Sequence, residues 1–67
     1  MNEDLEKLIS HVLKRFIGMP VNKEVLSFMA TEINDALNRV YPEQAESLYV
    51  QPIYNDGKIT FDTYYKH

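Results

Sequence analysis

Apolar positions recur at three- and four-residue spacing from Leu5 through Leu8, Ile9, Val12 and Leu13 to Phe16, and this stripe predicts a helix over residues 3–17. Asn2 is placed to cap it, and Glu3 and Asp4 suit the positive end of its dipole. Lys14 and Arg15 suit the negative end, and Gly18 with Pro20 supplies the stop. The opposite face mixes Glu6, Lys7, Ser10 and Lys14, so the stripe reads as core, not as a membrane-surface helix. A second stripe, Val25, Leu26, Met29, Ile33, Ala36, Leu37 and Val40, predicts a helix over 23–40. Asn22 caps it, Val21 and Leu26 form a hydrophobic staple, Asp35 and Arg39 make an exposed pair one turn apart, and Pro42 ends it. The tight Gly18-Met19-Pro20-Val21 connection makes the two an αα-hairpin. Phe28 falls outside the stripe and either packs under a neighbouring element or is exposed for a partner.

After a polar connector, Pro42 to Ser47, with room for one helical turn, the period changes from 3.6 to 2. Two alternating runs, 48–55 and 58–65, flank Asp56-Gly57, a dipeptide suited to a type I′ turn because both central residues need positive φ. The predicted hairpin pairs Tyr54 with Ile59, Pro52 with Phe61, Val50 with Thr63 and Leu48 with Tyr65 on a core face. The other face carries Tyr49, Gln51, Ile53 and Asn55 against Lys58, Thr60, Asp62 and Tyr64, and is mostly wet. A slip by one residue would mix the two sets. In this register the amide hydrogen that Pro52 lacks would point away from the second strand, so the outer side of the first strand is a poor template for further pairing. The second strand has no proline and keeps a full row of donors and acceptors, an edge that is either covered or used.

With 67 residues, 45% of them hydrophobic, the chain fits one small α+β domain in the order α-α-β-β, both helices lying on the Leu48, Val50, Ile59, Phe61 face. A domain this size buries only about 60% of its unfolded surface, so oligomerisation is a natural source of added stability. It contains no cysteine, hence no disulfide and no thiolate metal site. No apolar run has the length of a membrane span and the start is acidic, so the expectation is a soluble protein that is not secreted, with the cytosol as the default compartment. Seven Lys and Arg against ten Asp and Glu, scattered along the chain, leave no basic footprint for nucleic acid.

Titratable groups do not converge in the sequence. His11 lies between Lys7 and Arg15 at one-turn spacing, a cationic setting that disfavours metal ligation, and His67 is the last residue. Glu32 and Asp35 read as a solvated helix face, and Asp56-Gly57 lacks the neighbouring oxygen ligands of a calcium loop. The expectation is a protein that is not an enzyme and carries no cofactor or metal. Tyrosine is the better lead: four of the five, Tyr49, Tyr54, Tyr64 and Tyr65, lie in the hairpin. Tyr49 and Tyr64 beside Ile53 form an apolar patch with polar tips, the kind of surface enriched at interfaces. The candidate partner-binding residues are therefore Tyr49, Ile53 and Tyr64 with Lys58, Thr60 and Asp62 along the second strand, and Phe28.

The run Arg15-Phe16-Ile17-Gly18-Met19-Pro20-Val21-Asn22, followed by a helix and then extended segments from Tyr49-Val50 to Tyr64, resembles the C-terminal region of contractile tail sheath proteins of tailed phages. There too a helix ends in an Arg-Phe-(Val or Ile)-Gly-x-Pro-like turn, a second helix follows, and extended segments close the module. The large preceding domains of a sheath subunit are absent from this sequence. The resemblance implies a small phage or prophage structural or assembly protein whose strands complete a neighbour's sheet. The function expected is protein–protein interaction, by self-association as a homo-oligomer or with a structural partner, through the hairpin edge. The alternative is a small acidic phage effector that inhibits a host protein with its negative helix faces.

Overall fold

A computed structural model of the chain describes residues 3–66. The element order is α1 (Glu3–Leu13), a 3₁₀ turn (Lys14–Phe16), α2 (Lys23–Val40), a single-turn α3 (Pro42–Ala45), β1 (Leu48–Asn55) and β2 (Lys58–Tyr65). It is an α+β fold, two helices followed by a two-stranded antiparallel hairpin. The register is the expected one, from Asn55 opposite Lys58 to Leu48 opposite Tyr65. Asp56 and Gly57 turn the chain with φ of 51° and 79°, the paired left-handed conformations that a two-residue loop between right-twisted strands requires.

The first helix ends earlier than its periodicity implied. The α-helical bonds stop at Leu13 and the predicted last turn, through Ile17, tightens into the 3₁₀ turn, with Ile17 already extended at ψ 128°. The tighter turn still brings Phe16 into the core, where it is buried with Val12, Ile9 and Leu5. Gly18, at φ 87°, reverses the chain, and the N–H of Met19 donates to the carbonyl of Phe16. The expected Asn2 cap and His67 lie outside the described residues. Asn22 caps α2 as anticipated: its side-chain oxygen accepts from the N–H of Val25 at 2.8 Å.

Ile33, Leu37, Val12 and Val50 are the largest fully buried side chains, and with Met29 and Ala36 they tie both helices to β1. Burying each aliphatic side chain stabilises the fold by about 1.5–3 kcal/mol. Ile59 and Phe61 from β2 join this core only at its margin, half-buried.

Three expected packing details differ. Val40, assigned to the core stripe, is 54% exposed, while the next residue, Tyr41, is the one that packs against the core. Tyr54 and Tyr65 sit on the core face by register but are exposed, while their cross-strand partners Ile59 and Leu48 pack against the core. Among the described residues Asp35 and Arg39 form no ion pair; Glu32 instead accepts from Arg15 at 3.1 Å, a link across the αα-hairpin.

Candidate functional site

The two edges of the hairpin can be compared bond by bond. The N–H of Lys66 donates to the carbonyl of Ser47 at 2.8 Å, which marks that pair as one that exchanges ladder bonds. Pairs alternate in an antiparallel ladder, so Tyr49–Tyr64, Gln51–Asp62, Ile53–Thr60 and Asn55–Lys58 bond to each other. The intervening residues turn their N–H and C=O outward: Leu48, Val50, Pro52 and Tyr54 on β1, and Ile59, Phe61, Thr63 and Tyr65 on β2.

On β1 the middle of that outer row, at Val50 and Pro52, is closed. Asn34 of α2 lies against it and makes two bonds to one residue: its Oδ1 accepts from the N–H of Val50 at 2.9 Å, and its Nδ2 donates to the carbonyl of Val50 at 2.8 Å. The same Nδ2 donates to the carbonyl of Ala30 at 2.7 Å, which fixes the amide on its own helix. A side-chain amide reproduces here the donor–acceptor pair that another strand would offer. Two residues along, Pro52 is buried and has no hydrogen to donate.

On β2 the outer groups of Ile59, Phe61, Thr63 and Tyr65 make no hydrogen bond to any described residue. Lys58, Thr60 and Asp62, the strand residues singled out from the sequence, are all exposed beside this edge. On the helical side of the same edge Phe61 lies in a shallow hollow bordered by Glu6, Ile9, Ser10 and Leu13 of α1. Unpaired main chain and half-buried apolar side chains thus run together along one border.

The tyrosine patch is present in part. Tyr49 and Tyr64 are directly opposite, with Ile53 two pairs along on the same face. Tyr64 is exposed, whereas Tyr49 and Ile53 are half-buried, Tyr49 because it borders a groove that α2 shares with β1, lined by Leu26, Ala30 and Pro52. Phe28 belongs elsewhere: its ring meets Phe16 edge-on at 5.5 Å between centroids, yet the residue stays 51% exposed, so it packs and is available at once. The structure places it on the αα-hairpin, apart from the strand residues.

Comparison with protein-family models, curated proteins and solved structures finds no match. The site therefore has to be read from its own chemistry. Among the described residues no group of three or more His, Cys, Asp or Glu is arranged to hold a metal ion, and no helix is long and apolar enough to cross a membrane. One open, polar hollow is lined by Arg15, Glu32, Asp35, Asn38 and Arg39, where Arg15 and Glu32 are already paired with each other. The residue that sequence reading missed is Asn34. Its signal was a polar side chain in the row Leu26, Ala30, Asn34, at the border of the apolar stripe where a helix meets whatever lies beside it.

Proposed function

We propose that this chain is a protein-interaction module that joins its partner by strand addition along β2, with the exposed residues Lys58, Thr60, Asp62 and Tyr64 giving the contact its selectivity. The observation that carries this reading is the asymmetry of the hairpin. Val50 has both outward groups bonded to Asn34 and Pro52 has no donor, while the outward groups of Ile59, Phe61 and Thr63 have no partner among the described residues. A strand docked there gains main-chain bonds without first breaking any protein–protein ones, and it covers the half-buried Ile59 and Phe61. Placement of such a module in a phage or prophage particle, as a structural or assembly component, rests on the turn from Arg15 to Asn22 and is part of the same proposal. The Tyr49, Ile53, Tyr64 face offers a second, smaller surface next to the edge.

Thr63→Pro tests the reading. It removes an outward N–H that takes no part in the ladder, so the fold is kept while the docked strand loses a bond and meets the pyrrolidine ring. In any complex the chain forms, the folded variant is expected to lose binding, by light scattering for self-association or by titration for a partner. Undiminished association of a folded Thr63→Pro chain would overturn it.

A further inference from the structure

Resting on the strand-addition reading, we propose that the occupant of the β2 edge is a second copy of this chain, paired antiparallel about a two-fold axis through Phe61. Two β2 strands can meet only in registers that set outward-pointing residues opposite each other, so the axis passes through one residue of the strand. An axis at Asp62 sets Asp62 against Asp62, like charges directly opposed. An axis at Thr60 shortens the pairing to residues 58–62 before the turn intervenes. An axis at Phe61 pairs residues 58–64, with Thr60 opposite the Asp62 carboxylate, Ile59 opposite Thr63, Lys58 diagonal to Asp62, and Phe61 against its own copy.

The helical layer separates this register from the remaining one, centred on Thr63. Phe61 is flanked by Glu6 and Ser10 of α1, and Lys14 borders the same flank two turns from Glu6. An axis through Phe61 therefore passes close to Ser10, a small residue, and brings Glu6 of each copy toward Lys14 of the other. Joining two hairpins at their edges separates their centres by two strand spacings, about 10 Å, which is within the range at which helices pack side by side. The edge itself carries Lys58, Asp62 and Lys66, so the net charge of −3 on the whole chain does not oppose contact there.

The absence of cysteine gives a clean background for the test. Residues 60 and 62 of opposite copies would form a non-hydrogen-bonded pair with Cα atoms about 4.5 Å apart, inside the range that a disulfide spans. Thr60→Cys and Asp62→Cys chains, mixed in a glutathione redox buffer, are expected to form the mixed disulfide at least tenfold over either homodisulfide, as read by intact mass. A homodisulfide of Thr60→Cys or of Asp62→Cys as the main product would overturn the Phe61 axis, yet leave strand addition standing. A monomer by sedimentation with no disulfide in any mixture would overturn the second copy as occupant, whereas strand addition itself falls only to the Thr63→Pro result. As a check on the helical contact, Glu6→Lys is expected to weaken the dimer about tenfold, the size of the two exposed ion pairs that the axis relates, and Glu6→Lys with Lys14→Glu in one chain to restore it. Failure of the double variant to restore it would overturn the helix pairing.

Discussion

The two strands of this hairpin have the same length and share one ladder, yet their free edges are opposites. β1 presents Val50, whose outward N–H and C=O are both held by Asn34, and Pro52, which has nothing to donate. β2 presents Ile59, Phe61 and Thr63 with those groups unpaired among the described residues. Small sheets must protect their edges or use them. Protection on one side only means that strand addition has a single direction. A hairpin open on both edges could propagate without end, whereas one closed edge limits assembly by this route to a pair.

The comparison can be broken from the β1 side first. Asn34→Ala leaves a buried backbone donor and acceptor at Val50 without partners, and each such group costs about 1–3 kcal/mol. Loss of about 3 kcal/mol is expected in urea unfolding, more than for substitution at the α2 cap or at the Arg15–Glu32 pair. Asn22→Ala removes the cap of the helix that carries Asn34 and is expected to cost about 1 kcal/mol by the same measurement. Arg15→Ala removes a partly exposed ion pair remote from either edge, worth about 0.5 kcal/mol. Thr63→Pro on β2 is expected to change monomer stability least, while removing association. Asn34→Ala has the reverse pattern, costing stability without creating association through β1, because Pro52 remains.

The fold was legible because its punctuation is local. Asp56-Gly57 admits few turns, and that choice set all eight cross-strand pairs; Asn22 and Pro42 bounded α2 in the same way. Periodicity identifies which face of each element is apolar, but not which residue of that face the core takes up: Tyr41, Ile59 and Leu48 pack on it, while Val40, Tyr54 and Tyr65 are exposed. The end of α1 was misread because the stripe continues through Phe16 whether the last turn is α or 3₁₀. For the candidate site, the proline on one strand and its absence on the other already marked the open edge. The clamp by Asn34 did not show, because it depends on a contact sixteen residues away in sequence, and an asparagine near the middle of a helix has no local signature of its partner.

The most direct test of the edge asymmetry is amide hydrogen exchange at Val50 and Phe61, followed by NMR from micromolar to millimolar chain. Val50, held by Asn34, is expected to be protected at every concentration. Phe61 is expected to exchange rapidly in dilute solution and to become protected as the chain associates. A Phe61 amide that still exchanges rapidly when the chain is fully associated would contradict use of the β2 edge.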